Sequence, residues 1–329
     1  MKLALAYFEE RHFAKMPLSR QMGVDFAVTN LDLNRSDRAS LRTWESAYLQ
    51  ALLKRYEDQG LRVCAIEGPT PLDKVKLGLP GRDEEIAHFL EMMENLARLG
   101  VDTVCYNWMP VLGWVRTSSD ARTRGEARVT AFDYDRIEGA PFTDAGRVTG
   151  ETLWRNLAYF LKAVVPAAER WGLKLALHPD DPPVPCLRGI DRILVRCDDL
   201  RRAVDLVPSD ASGIALCQGS LAAMGEDIPA AIRDFGRRRK IFFVHFRDIR
   251  GHRFSFQETF HDDGMTDMHE AMKCLYEVGF DGPIRPDHVP TMAGEDVDRP
   301  GYGILGNLFA IGYMKGLMEA VEKSQRTSI

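Results

Sequence analysis

The chain is poor in the features that mark several protein classes. No uninterrupted apolar stretch approaches the roughly 18 residues that a membrane span requires, which excludes a membrane-embedded class. Among its six cysteines there is no C-x-x-C pair, and six cysteines in 329 residues argue against a disulfide framework and fit a reducing compartment. Neither sign of charge dominates. The balance of 43 Lys and Arg against 48 Asp and Glu leaves a net charge of -5, so there is no electrostatic reason to expect nucleic acid as a partner. The short basic runs RDFGRRRK (233–240) and DLRRA (199–203) fall in helical segments and read as solvated helix ends. Also missing is the glycine fingerprint that would follow the first strand of a dinucleotide-binding sheet. The start, MKLALAYFEERHF, turns charged too soon for a secretory signal and reads as a first strand, so the cytoplasm is the expected location.

What the chain does have is alternation. Strand-like runs occur at LALAYF (3–8), FAVTNL (26–31), RVCAIEG (62–68), TVCYNW (103–108), KLALHP (174–179), GIALCQG (213–219), IFFVHF (241–246) and PIRPDH (283–288). Segments with helical spacing lie at about 17–22, 37–59, 83–99, 150–171, 198–207, 226–239, 267–278 and 304–323. Gly60, Gly100 and Gly172 follow helical runs, and Ser36 and Asp198 stand where caps would precede them. The strand runs are continuously apolar, as in strands buried on both faces of a helix-covered parallel sheet. The pattern predicts an α/β fold, a (β/α)8 TIM barrel forming a single domain over 1–329. Segments that follow strands are long (109–149, 180–197, 247–266 and 289–303), which puts the extended loops on the C-terminal face. The 109–149 segment is too long for a simple connection and reads as a lid insertion or an oligomer contact. A homo-oligomer stays open.

Six of the strand runs end in a polar residue: Glu67, Asn107, His178, Cys217, His245 and Asp287. Ends of parallel barrel strands meet on one face, so residues far apart in sequence can form one site. Two imidazoles, a thiolate and a carboxylate make a complete first shell for a transition metal, and His178, Cys217, His245 and Asp287 end four successive strands. Zinc, manganese and ferrous iron all suit that mixed donor set. His288 and Tyr302 follow the last strand and are candidates for general acid and base, the alternative being a structural histidine and a loop tyrosine. Arg116 and Arg247 are candidates to clamp an anionic group, unless each pairs with a nearby acid. Glu67 and Asn107 are expected to line the substrate pocket. The acid-rich HPDDPP and FHDDG stretches suit either an oxygen-only metal site or loop turns. Cys64, Cys105 and Cys274 sit in apolar contexts and read as core.

Several longer stretches carry a family resemblance. CYNWMPVLGWVRT (105–117), LALHPDDPP (175–183), ALCQGS (215–220), VHFRDI (244–249), FHDDGMTDM (260–268), RPDHVPTMAGE (285–295) and GYGILGNLFAIGYMKGL (301–317) strongly resemble mannonate dehydratase, from about residue 60 onward. The resemblance implies a xylose-isomerase-like barrel that dehydrates D-mannonate to 2-keto-3-deoxy-D-gluconate with Mn²⁺ or Fe²⁺ in hexuronate catabolism. It implies metal ligands at His178, Cys217, His245 and Asp287 and an acid/base pair at His288 and Tyr302. The chain departs from the family pattern at Gly113 and Ser118, where acidic residues are common, at VTNLD (28–32), where a histidine is common, and at EGPT (67–70) in place of an ESVP-like segment. Those departures leave another aldonate open as substrate. Two other readings are a metal-dependent sugar isomerase or epimerase on the same barrel and a non-catalytic sugar-acid binder. Cys217 counts against the former, and the intact acid/base pair against the latter.

Overall fold

A computed structural model describes residues 1–31, 42–295 and 300–327. Eight parallel strands close into a barrel in sequence order: β1 (Lys2–Tyr7), β2 (Phe26–Thr29), β3 (Arg62–Glu67), β4 (Thr103–Asn107), β7 (Lys174–His178), β10 (Ser212–Cys217), β11 (Ile241–Phe246) and β14 (Pro283–Pro286), which pairs back with β1. All eight strand runs read from the sequence are barrel strands. The reason is visible in β10 and β11, every residue of which is buried. One face meets the barrel interior, where small residues such as Ala4, Ala65, Ala176 and Ala215 leave room for Phe242 and Phe243. The other face meets the helices.

The helices are α1 (Met16–Gln21), α2 (Ser46–Glu57), α3 (Asp73–Leu77), α4 (Arg82–Arg98), α5 (Gly150–Trp171), α6 (Cys197–Asp205), α7 (Gln218–Met224), α8 (Ile228–Arg237), α9 (Met268–Glu277) and α10 (Ile304–Thr327). α5 shows how local chemistry sets a boundary. Thr149 caps its first turn by accepting from the Thr152 N–H, and Gly172 ends it at φ +69°, a left-handed geometry that glycine adopts without steric cost. Phe160 of α5 packs edge-on against Phe89 of α4 at 5.1 Å between centroids, joining adjacent helices over the sheet. Among the described residues no helix is long and apolar enough to cross a membrane.

The sequence expectation needs four adjustments. The early part of the 37–59 helical segment, with Ser36 as its cap, lies outside the described residues, and α2 begins at Ser46. Asp198 sits in the first turn of α6 rather than before it. α3 and α7 were not anticipated. Finally, the 109–149 segment, expected as a long loop or lid insertion, holds regular structure: it contributes β5 (Ser118–Arg122) and β6 (Arg128–Asp133) to a four-stranded antiparallel sheet in the order β12-β13-β6-β5. β12 (Ile249–His252) and β13 (Ser255–Glu258) come from the loop after β11. A smaller pair, β8 (Cys186–Leu187) and β9 (Ile190–Asp191), lies in the loop after β7.

Candidate active site

Strand register brings the polar strand ends into one layer. Asn107 on β4 is the pairing partner of His178 on β7, Cys217 on β10 pairs with His245 on β11, and His245 pairs with Arg285 on β14. Glu67 on β3 pairs with Cys105 on β4. In a parallel barrel these positions stand at the same height, which is why residues separated by more than 200 positions share one pocket.

His178, Cys217 and His245 present ligand-type atoms within 4.8 Å of one another. His178 Nδ1 is 2.6 Å from the Pro179 carbonyl, an acceptor only, so this nitrogen carries the proton and Nε2 is the atom turned to the group, 3.1 Å from His245 Nδ1. Burial alone would push the Cys217 thiol up. The Arg247 guanidinium and hydrogen bonds with His178 and His245 outweigh burial and hold it well below its ordinary value, as a thiolate. The same pairing works on His178: burial disfavours its cation, but the Cys217 thiolate and the Glu67 charge push its pKa up to about 9. The second nitrogen of His245, Nε2, is buried and among the described residues has no partner in good hydrogen-bond geometry, with Glu67 Oε2 3.3 Å away as its ionic neighbour. A thiolate beside imidazole nitrogens, one of them orphaned, is a donor set that a divalent transition metal satisfies.

Glu67, Cys105 and His245 form a second group with the same 4.8 Å spacing. It fits a cation less well. Burial holds the Cys105 thiol well above its ordinary value, so it stays protonated, and both Glu67 oxygens accept from Arg285, at 2.8 and 3.0 Å. Cys105 is buried, as are Cys64 and Cys274.

Asp287 follows β14 and is 3% exposed. Its Oδ2 lies 3.7 Å from His245 Nδ1, next to the first group, while Oδ1 accepts from Arg285 at 2.7 Å and from the Tyr302 hydroxyl at 3.0 Å. His288 takes φ +46°, a left-handed conformation that a non-glycine residue adopts at a cost. Its Nε2 is 3.5 Å from Asp287 Oδ1 and its Nδ1 is 3.1 Å from Glu258 Oε1. Trp114, from the 109–149 segment, lies over the His288 ring at 4.9 Å between centroids. Burial, with the neighbouring Asp287 charge, holds the Tyr302 phenol well above its usual range, so it keeps its proton.

Arg116 and Arg247 are buried with protein carboxylates as partners. Arg116 donates to Asp181 at 2.6 and 3.0 Å and to Glu258 at 2.6 Å. Arg247 donates to both Glu258 oxygens and to Asp181, all at 2.6 Å, and its Nε lies 3.2 Å from Asp287 Oδ2. Of the two roles read for them, the structure displays the pairing with nearby acids. Backbone shape serves the same network: a Cβ on Gly219 would stand 2.7 Å from Arg247 Cζ, so only glycine lets α7 approach this guanidinium. The acid-rich stretches resolve similarly. Asp180 accepts from the Leu194 N–H, Asp262 pairs with Arg124, and Asp263 pairs with Arg250.

A cavity of about 900 Å³ opens onto this layer and is lined by Glu67, Asn107, His178, Asp181, His288 and Tyr302, among others. Most departures from the family pattern face it: Asn30, Leu31, Pro69, Thr70 and Gly113 line its wall. Ser118 starts β5 instead. Lys76, which the sequence reading passed over, also lines it; its ammonium donates to Asn107 Oδ1 at 3.1 Å and to the Met109 carbonyl at 3.5 Å. Burial pushes its pKa down to about 8, and among the described residues no carboxylate forms an ion pair with it. Lys76 lies on the short α3, whose five residues gave no periodic signal. Glu258, Asp181 and Arg285 were also missed. The DD in HPDDPP and the arginine in PIRPDH were on view, but nothing in sequence links them to their partners.

Comparison with known proteins agrees with this architecture. The D-mannonate dehydratase family matches residues 1–145 and 140–328 of the chain. A mannonate dehydratase of Brachyspira hyodysenteriae is 36% identical over 85% of this chain and 88% of its own length. One of Thermotoga neapolitana is 35% identical over 98% of both. The crystal structure of mannonate dehydratase from Streptococcus suis serotype 2 superimposes with a TM-score of 0.91 at 29% identity, covering 99% of this chain and 94% of that one. An L-ribulose 3-epimerase, at TM-score 0.63 and 16% identity, shares the barrel alone; 99% of this chain and 97% of that one are covered.

Proposed function

The chain belongs to the mannonate dehydratase family, and from that premise we propose that it removes water from D-mannonate to give 2-keto-3-deoxy-D-gluconate. The observation that carries the proposal is the grouping of His178, Cys217 and His245, with Asp287 beside His245, next to a cavity that His178, His245, Asp287, His288 and Tyr302 line. In this reading the first four hold a divalent ion, Mn²⁺ or Fe²⁺. When bound, that ion supplies charge stabilisation for the substrate carboxylate as the adjacent C–H bond ionises.

The protein's own groups do the rest. His288 accepts the proton from the carbon next to the carboxylate, and Tyr302, which keeps its phenolic proton, donates one as the neighbouring hydroxyl departs. Lys76, which forms no ion pair with a carboxylate among the described residues, offers its ammonium to a substrate oxygen, with Asn107 setting its direction. Glu67 holds Arg285, and Arg285 in turn holds Asp287. The chain works as one barrel in this scheme, with the 109–149 segment as its cover: Trp114 lies over His288 and shields the reacting groups from water.

The test is incubation of metal-reconstituted protein with a panel of hexonates, following formation of 2-keto-3-deoxy acids. Turnover of D-mannonate is expected; the absence of turnover of any aldonate with metal bound would overturn the proposal. Tyr302→Phe should keep the metal and lose turnover by about 10²–10⁴-fold, the range of a lost proton donor.

A further inference from the structure

Glu258 lies outside the barrel sequence of strands, at the end of β13, yet its carboxylate is 1% exposed and touches His288. It is held on three sides. Arg247 Nη1 donates to both of its oxygens at 2.6 Å, and Arg116 Nη2 donates to Oε1 at 2.6 Å. Asp181 completes the ring by accepting from both arginines. Burial would push Glu258 up, but the charges of Arg247, His288 and Arg116 outweigh it and bring its pKa down to about 2. An ionised carboxylate only accepts hydrogen bonds, so the imidazole nitrogen facing it must be the one that carries hydrogen.

Resting on the dehydratase reading, we infer that Glu258, clamped by Arg116 and Arg247, is the positioning residue that fixes His288 with Nδ1 protonated and Nε2 turned toward Asp287 and the substrate. The contacts set three properties together. The 3.1 Å contact at Nδ1 stops rotation of the ring about its χ2 axis, the carboxylate selects the tautomer, and the lone pair on Nε2 is left where a base needs it. The other nitrogen has a looser contact, 3.5 Å to Asp287 Oδ1, so the Glu258 bond dominates the orientation.

A consequence is that the four-stranded sheet belongs to the catalytic apparatus. Glu258 ends β13 and Arg116 lies just before β5, so both chain segments that build the sheet, the one after β4 and the one after β11, must be in place before the histidine is oriented. The barrel strands supply the other half of the clamp through Arg247, one residue past β11, and Asp181, three past β7.

The experiment uses Glu258→Gln in the full, metal-loaded chain. The amide can either accept from Nδ1 or donate to it, so the tautomer is no longer selected. Expected results are metal content equal to wild type, KM within about threefold, and kcat lower by about 10–100-fold, the usual size for an outer partner of a site residue. The independent readout is ¹⁵N NMR of the imidazoles in protein loaded with diamagnetic Zn²⁺, with the His288 signals assigned by their loss in His288→Asn. Wild type should show the proton on Nδ1, and Glu258→Gln a mixture of tautomers. A wild-type proton on Nε2, an unchanged kcat, or a fall in kcat that tracks loss of metal would each overturn the inference. If Glu258→Gln does not fold, the wild-type spectrum decides alone. If the wild type turns over no aldonate, the dehydratase reading fails while the spectrum still tests the orientation.

Discussion

Replacing Asp181 by alanine should destabilise the whole protein, and the size of the effect follows from its contacts. The Asp181 carboxylate accepts from Arg116 at 2.6 and 3.0 Å and from Arg247 at 2.6 Å, and all three side chains are 3% exposed or less. Without it, two buried guanidiniums share Glu258, and Arg247 keeps its contacts with Asp287 and the Cys217 sulfur. Breaking a buried ion pair from one side costs roughly 3–5 kcal/mol, because the remaining charge stays desolvated without its counter-charge. With an unfolding entropy of about 2.1 cal/mol/K per residue over 329 residues, each degree of Tm corresponds to about 0.7 kcal/mol, so Tm should fall by about 4–7 °C. Differential scanning calorimetry of the metal-loaded protein measures this. The control is Lys54→Gln, which breaks the exposed Lys54–Asp58 pair, with side chains 70% and 56% exposed, and should move Tm by less than about 1 °C. Adding Arg116→Met to Asp181→Ala should cost less than the sum of the single changes, since it removes the uncompensated cation. An Asp181→Ala protein melting within about 1 °C of wild type, or strict additivity in the double variant, would refute the reasoning.

Other outcomes follow from the same geometry. Cys217→Ser replaces the thiolate with a hydroxyl that stays protonated, and should weaken metal binding by more than the roughly 10–100-fold typical of an outer-shell change, measured by competition with a chelator; equal affinity would remove Cys217 from the ligand set. Glu258 has its pKa depressed from 4.5 to about 2, so its contribution is fully present above about pH 4.5 and is lost as pH falls through about 2. That interval corresponds to roughly 3 kcal/mol, and Glu258→Gln should flatten the acid limb of a stability-versus-pH curve. Lys76→Met should raise KM for the aldonate by about tenfold or more, the worth of one charge-assisted hydrogen bond, with kcat within about threefold; an unchanged KM would place Lys76 outside the recognition surface.

The barrel was legible in the sequence because its strands are buried on both faces, and runs such as KLAL and IFFV carry that burial in their composition. The candidate metal group was legible for the same reason, since a polar residue closing an apolar strand stands out. The antiparallel sheet was not, because SSDAR and IRGH are polar, lack alternation and become strands only by pairing with β6 and β13. α7 was hidden by its direct continuation from β10, with no turn residue between Cys217 and Gln218.

The sequence by itself determined which side chains end the strands or follow the last one, and hence the chemistry available: two imidazoles, a thiol and a carboxylate, then a third histidine and a tyrosine. Only the tertiary structure decided what their neighbours make of them. Arg116 and Arg247 read as anion clamps or as partners of acids, and long-range packing delivers Asp181 and Glu258 to both of them. The physical reason is that strand composition is a local property, written residue by residue. Charge pairing inside a barrel depends on register between strands and on loops that fold back from distant positions, and no local pattern records it.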